Sequence, residues 1–71
     1  MNLLVKDIIP FKETTDMRIL WENDIGNHNA EDVWNSWDWT NMKECPSYLL
    51  DKRVVYMHAE TDETLTIGIA I

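Results

Sequence analysis

The chain has 71 residues, with six basic and thirteen acidic side chains, a formal net charge of −7 and 45% hydrophobic residues. This length predicts a single domain over residues 1–71, and the hydrophobic content is too high for a disordered tail. The acidity excludes the basic footprint that direct nucleic-acid binding or binding to anionic membranes requires, and it indicates a neutral or basic partner.

The sequence contains few cysteine and histidine residues that could form a disulfide or bind a metal. Cys45 is the only cysteine, so an intramolecular disulfide cannot form. Together with His28 and His58 it lacks the spacing of a zinc site, and we expect neither a metal nor a cofactor. We see no signal peptide at the start and no run of about 20 apolar residues that could span a membrane. The sequence therefore predicts a cytoplasmic protein without membrane contact.

The first part of the chain predicts a helix followed by a hairpin. Apolar residues recur at helical spacing over residues 3–9, and we expect Pro10 to end that helix. Residues 17–21 alternate between apolar and more polar side chains, as in a half-buried strand. Residues 23–29 are rich in Asn, Asp and Gly, which predicts a hairpin loop.

Residues 32–40 hold three of the four tryptophans and allow two interpretations. As a strand, they place Trp37 and Trp39 on one face that packs inward, with Trp34 on the other face beside Asp38. As a helix, they bury Trp34 and Trp37 together and leave Trp39 outside. The β preference of tryptophan and the preceding loop favour the strand, and the helix stays open as an alternative.

The last part of the chain predicts a second helix and a second hairpin. Pro46 suits the first position of a short helix over residues 46–52. Residues 53–60 and 65–71 alternate as two strands. The final strand has a face of small side chains, which either lies under something large or relieves crowding beneath the N-terminal helix. If this strand forms a sheet edge, it invites pairing with a second copy.

These segments predict an α+β fold. The expected architecture is a four-stranded, mainly antiparallel sheet made of two hairpins, with a short N-terminal helix and a short helix between the hairpins.

Catalytic constellations are weak in this sequence. Cys45 lies at a predicted helix start, where a thiolate is stabilised, but nothing in the spacing links His28 or His58 to it as a base. Carboxylates are paired only as chain neighbours, whose side chains point to opposite faces of a strand. The two glycines make no phosphate-binding loop, although a dimer groove lined by Trp and Arg could hold a small nucleotide. We expect no enzymatic activity.

Three stretches carry a resemblance to known sequences: Val5-Lys6-Asp7-Ile8, Met17-Arg18-Ile19 and Pro46-Ser47-Tyr48-Leu49-Leu50-Asp51-Lys52-Arg53-Val54-Val55. In these stretches the chain resembles a group of short uncharacterised open reading frames common in Gram-positive bacteria, their phages and mobile elements. The shared motifs are structural and bring no catalytic residue. In size, acidity and layout the chain is also similar to phage anti-defence proteins, including anti-CRISPR inhibitors, which implies an inhibitor of a host nuclease or another defence protein.

Acidic and aromatic residues in the middle of the chain form the candidate partner-binding site. Carboxylates on a rigid scaffold can take the place of nucleic-acid phosphates and pair with Arg and Lys of a basic protein. Tryptophans add anchors, and Trp34 is the indole expected to make the contact. The full candidate set is Glu22, Asp24, Glu31, Asp32, Trp34, Trp37, Asp38 and Trp39.

Three other interpretations stay open. The tryptophans can simply fill the core of a chain that has one phenylalanine. The protein can be a structural interaction module that forms a homodimer through its C-terminal strand. It can also sequester a small ligand in an oligomeric pocket.

Overall fold

A computed structural model describes residues 3–13, 15–37, 44–60 and 64–71. Two short helices and four strands follow one another as α1 (Val5–Ile8), β1 (Met17–Trp21), β2 (Trp34–Asn35), α2 (Ser47–Leu50), β3 (Val54–Ala59) and β4 (Leu65–Ile69). Short 3₁₀ helices cover Ile9–Glu13 and Glu22–Asp24. The predicted α+β fold, with four strands and a helix between the two strand pairs, is confirmed.

The sheet is mixed, with the strand order β2-β1-β4-β3. The pairs β1–β2 and β3–β4 are antiparallel, as the two expected hairpins require, whereas β1 and β4 run parallel in the middle. The expectation of a mainly antiparallel sheet therefore missed its central contact. Since β4 is hydrogen-bonded on both sides, it is an inner strand. The condition under which the C-terminal strand would invite pairing with a second copy, a position at the sheet edge, is therefore not met.

Both helices pack on one face of the sheet, over the alternate side chains of β1 and β4. Each strand sends every second residue to this face, which explains why Ile19 and Ile67 are completely buried. The core consists of Val5, Ile8, Met17, Ile19, Trp34, Leu49, Ile67 and Ile69. In the described part of the chain, no helix is long and apolar enough to cross a membrane.

The N-terminal α-helix ends at Ile8, before Pro10 as expected, but helical turns do not stop there. A 3₁₀ helix over Ile9–Glu13 follows it directly and includes Pro10. Proline lacks an amide hydrogen, but its restricted φ is compatible with the first turn of a 3₁₀ helix, where no internal donor is needed. Pro46, expected at the first helical position, is instead the residue before α2.

The small residues of β4 face away from the helices, so they do not relieve crowding beneath α1. A Cβ added at Gly68 would lie 2.9 Å from Cδ1 of Ile25, which belongs to the connection between β1 and β2. The same connection turns at Gly26, whose φ of +84° is unfavourable for other residues. The large group that lies over this small face is therefore Ile25, which packs on Gly68.

An irregularity at the start of β3 changes the expected faces of that strand. The pattern of the sequence places Val54 on the same face as Tyr56 and His58. A register shift between Val54 and Tyr56 instead puts Val54 opposite Ile69 and against the core. The extra residue of a β-bulge reverses the alternation at this point.

Candidate functional site

The connection between β1 and β2, residues 22–33, carries four of the eight candidate partner-binding residues. It begins as the 3₁₀ turn Glu22–Asp24 directly after β1. The amide of Asn27 donates to the carbonyl oxygen of Asp24 at 3.0 Å, and the amide of Ala30 donates to that of Asn27 at 3.1 Å. These internal hydrogen bonds give the connection a defined shape.

Three carboxylates of this connection have no cationic partner within the described residues. Glu22 and Glu31 are exposed, and Asp24 is half-buried. The ion pairs found in the described part of the chain involve other carboxylates. Glu22, Asp24 and Glu31 are therefore free to meet a cation supplied from outside.

Asp32, the fourth acidic candidate, is already used inside the protein. Its Oδ1 lies 3.1 Å from a terminal nitrogen of Arg18, and its Oδ2 accepts a hydrogen bond from the Asn35 side chain at 3.0 Å. Because Arg18 lies opposite Asn35 in the β1–β2 pair, all three side chains meet on one face of the sheet. Asp32 thus links the connection to the sheet through its side-chain contacts.

The structure reverses the expected exposure of two tryptophans. Trp34 lies opposite Ile19 in the antiparallel pair, and opposite residues share a face, so its indole joins the core with 2% exposure. The strand ends at Asn35, so the alternation does not continue to Trp37, which is 46% exposed. The expectation that Trp34 is the exposed indole and Trp37 the buried one is wrong.

Two candidates, Asp38 and Trp39, lie outside the described residues. Trp21, which the sequence places on the inward face of its strand, is half-buried against the core. The ammonium of Lys52 lies 5.7 Å from the centroid of the Trp21 ring. This distance is compatible with a cation–π contact.

The candidate residues do not form one cluster. The amide of Ser36 donates to the carbonyl oxygen of Met17 at 2.9 Å. Trp37 is the next residue and therefore lies near the start of β1. Glu22 follows Trp21 at the other end of the same strand. Four residue steps along a strand correspond to about 13 Å. The exposed indole of Trp37 and the carboxylate of Glu22 are therefore separate surface features.

Sequence reasoning missed a concavity on the sheet face opposite the helices. Its volume is about 550 Å³, and its polar lining includes Arg18, His28, Tyr56, His58, Glu60 and Thr66. Three of these residues come from three neighbouring strands, since Thr66 pairs with Arg18 on one side and with His58 on the other. Strand alternation predicts which face each side chain occupies, but their meeting depends on the parallel β1–β4 contact.

The polar groups of this concavity are partly joined to one another. Thr66 Oγ1 donates to Glu60 Oε1 at 2.9 Å, and His58 Nε2 lies 3.9 Å from Glu60 Oε2. The rings of Tyr56 and His58 lie 6.3 Å apart. Nε of Arg18 is buried and finds no hydrogen-bond partner among the described residues. The concavity thus offers hydrogen-bonding groups beside an aromatic ring, a combination suited to a small polar ligand.

The described residues do not assemble a metal site or a cysteine–histidine site. Within the described ranges, no group of three or more His, Cys, Asp and Glu side chains could hold a metal ion. His28 and His58 both line the concavity, whereas the half-buried Cys45 is not among its lining residues and places its Sγ 3.7 Å from the carbonyl oxygen of Pro46.

Comparisons with protein-family models, with curated proteins and with solved structures gave no match to this chain.

Proposed function

We propose that this protein acts by binding a basic protein partner through the connection between β1 and β2. The observation that supports this role is the set of three carboxylates, Glu22, Asp24 and Glu31, without a cationic partner in the described part of the chain. The net charge of −7 adds a long-range field that attracts a cationic surface. Arg and Lys of the partner would pair with these three carboxylates.

The proposed partner is a nuclease or another nucleic-acid-processing defence protein of a bacterial host. Such proteins present Arg and Lys where nucleic-acid phosphates bind, and carboxylates on a fixed scaffold can occupy those positions. The protein then acts as an inhibitor by nucleic-acid mimicry, the role that its likeness in size and acidity to phage anti-defence proteins implies.

Trp37 is proposed as a second, separate contact. Its indole is 46% exposed, which leaves a large apolar side chain available for burial against a partner. Tryptophan is enriched among residues that dominate binding energy. Its position at the far end of β1 from Glu22 requires a partner surface that spans about 13 Å.

Capture from a host lysate tests the proposed role. The immobilised protein is expected to retain a basic protein that is eluted by salt and displaced by added duplex DNA, since mimicry places both ligands on the same surface. A resin carrying Glu22→Lys, Asp24→Lys and Glu31→Lys together is expected to lose that protein. A Glu44→Lys resin changes an exposed carboxylate outside the connection and is expected to retain it. Equal retention on both resins contradicts the proposal.

A second candidate role is the binding of a small ligand in the concavity. It is favoured by the volume of about 550 Å³ and by the polar side chains that line it. Native mass spectrometry of the protein after incubation with cell extract tests this role. A retained small molecule that is lost on Thr66→Val, which removes the hydroxyl that donates to Glu60 in the lining, supports it. The bare protein mass in both samples contradicts it.

A further inference from the structure

The floor of the concavity is polar at one end and apolar at the other. On the sheet face opposite the helices, three neighbouring strands each place one polar residue in a row, namely Arg18, Thr66 and His58. The next row on this face lies two positions along the strands, about 7 Å away. It consists of Leu20, Gly68 and Tyr56. A ligand that covers both rows therefore needs a polar group and an apolar group at that separation.

The apolar end is formed around Gly68. Cδ1 of Ile25 and Cβ of Tyr56 lie 2.9 Å and 3.0 Å from the position that a Cβ of Gly68 would take, so both side chains pack closely on its backbone. The neighbouring Leu20 is 4% exposed and closes the floor. Tyr56 is 38% exposed and lines the concavity. Because aromatic side chains pair favourably with other rings, this end suits a planar ring.

The polar end has more unused donors than unused acceptors. Both carboxylate oxygens of Glu60 already face the protein, since Oε1 accepts the Thr66 hydroxyl at 2.9 Å and Oε2 lies 3.9 Å from Nε2 of His58. The guanidinium of Arg18 has five N–H donors, and it pairs with Asp32 through one terminal nitrogen. Its Nε is buried and meets no acceptor within the described residues. The guanidinium therefore still lacks acceptors.

Further donors lie around the concavity, and the carboxylates of the connection do not. His28 and Tyr56 line the concavity, and neither donates a hydrogen bond to another described residue. Glu22, Asp24 and Glu31 are not among its lining residues. The net charge of −7 opposes an anion at long range, but physiological salt screens this field beyond about 8 Å. Contacts within the concavity therefore decide which ligand binds, and those contacts call for acceptors.

We propose that the concavity binds a small organic anion that joins a planar ring to a carboxylate or phosphate group. The proposal rests on the second candidate role, ligand binding in the concavity, and names the class of that ligand. Oxygens of the anionic group accept charge-assisted hydrogen bonds from Arg18, with His28 as a further donor. The ring packs against Tyr56 and Ile25. The volume of about 550 Å³ lies in the range of small-ligand sites.

Titration of the full chain, followed by the amide signals in NMR spectra, tests the ligand class. Phenylacetate and adenosine monophosphate each join a ring to an anionic group, a carboxylate in the first and a phosphate in the second. Phenylethanol and adenosine keep the ring without the charge, whereas acetate and inorganic phosphate keep the charge without the ring. At least one complete ligand is expected to shift the signals of Thr66, Gly68 and His58 and to bind at least about tenfold more tightly than both of its counterparts.

Three results overturn the proposal, and they need no substitution in the protein. A neutral counterpart that binds in the concavity as tightly as its anion contradicts the anionic class but leaves ligand binding there intact. An anion that binds equally well without its ring contradicts the contact with Tyr56. If neither complete ligand binds up to about 10 mM, the inference fails, while mass spectrometry of the extract-treated protein still decides the broader role.

Matched substitutions test the two ends of the concavity separately. Arg18→Gln is expected to weaken binding of the complete ligand at least about tenfold, whereas Arg53→Gln changes an exposed arginine outside the lining and is expected to have no effect. Tyr56→Leu is expected to weaken the same ligand, and Tyr48→Leu, at an exposed residue of α2, is its control. Because Arg18 also pairs with Asp32, circular dichroism checks the fold of that variant. Equal affinity of the two tyrosine variants contradicts the proposal even if Arg18→Gln unfolds.

Discussion

A guanidinium nitrogen of Arg18 lies 3.1 Å from the carboxylate of Asp32, across the open face of the sheet. The Arg18 side chain is 34% exposed and that of Asp32 is 17% exposed. The pair joins the strand β1 to the end of the connection that carries the unpaired carboxylates. Asp32 is thus used within the fold, whereas Glu22, Asp24 and Glu31 remain available to a partner.

Asp32→Ala is expected to lower the free energy of unfolding by about 2 kcal/mol. The substitution leaves the partly buried Arg18 without its counter-ion and removes the acceptor of the Asn35 side chain. Urea denaturation measures the change. Glu31→Ala, which removes an exposed carboxylate one position earlier, is the control and is expected to stay within about 0.5 kcal/mol of the wild type. Equal losses for the two variants contradict a structural role for Asp32.

Alanine substitutions of Trp34 and Trp37 are expected to have sharply different effects on the stability and the fluorescence of the protein. Trp34→Ala opens a large cavity in the core and is expected to cost about 3–5 kcal/mol, whereas Trp37→Ala is expected to cost less than about 1 kcal/mol. In the Trp37→Ala variant, collisional quenching by acrylamide is expected to fall, because its most exposed described indole is gone. Loss of stability in the Trp37 variant alone contradicts this assignment.

Gly68→Ala is expected to destabilise the protein by about 1 kcal/mol. The added methyl group would lie 2.9 Å from Ile25 Cδ1 and 3.0 Å from Tyr56 Cβ, so the connection has to shift away from the sheet. Ile25→Ala removes the closer neighbour. The double variant is expected to lose less stability than the two single losses together, since the sites are in contact. Simple additivity in urea denaturation contradicts the packing of Ile25 on Gly68.

Period-two alternation was enough to predict where β1, β3 and β4 lie in the sequence. Turn-forming residues identified the connection between β1 and β2, and Pro46 marked the start of the second helix region. Local patterns could not show that β4 returns beside β1, because this parallel contact joins residues almost 50 positions apart. The inner position of β4 and the concavity over Arg18 and Thr66 both depend on that contact.

The tryptophan segment shows a different limit of sequence reasoning. Within the described part of residues 32–40 the strand is only Trp34–Asn35, so an alternation extended to Trp37 assigned the wrong face. Which face Trp34 occupies follows from its partner Ile19 on β1. Charge counting identified the acidic residues of the connection but could not distinguish the paired Asp32 from the unpaired Glu31 beside it.

The affinity of the captured basic protein for charge-reversed variants tests the central claim most directly. Titration calorimetry at low salt is expected to show a loss of about 100-fold for the triple variant Glu22→Lys, Asp24→Lys and Glu31→Lys, because like charges then face each other across the interface. The wild-type affinity is expected to fall as salt is raised, and Glu44→Lys is expected to bind like the wild type. Unchanged affinity of the triple variant, with the fold intact by circular dichroism, would contradict binding through the connection between β1 and β2.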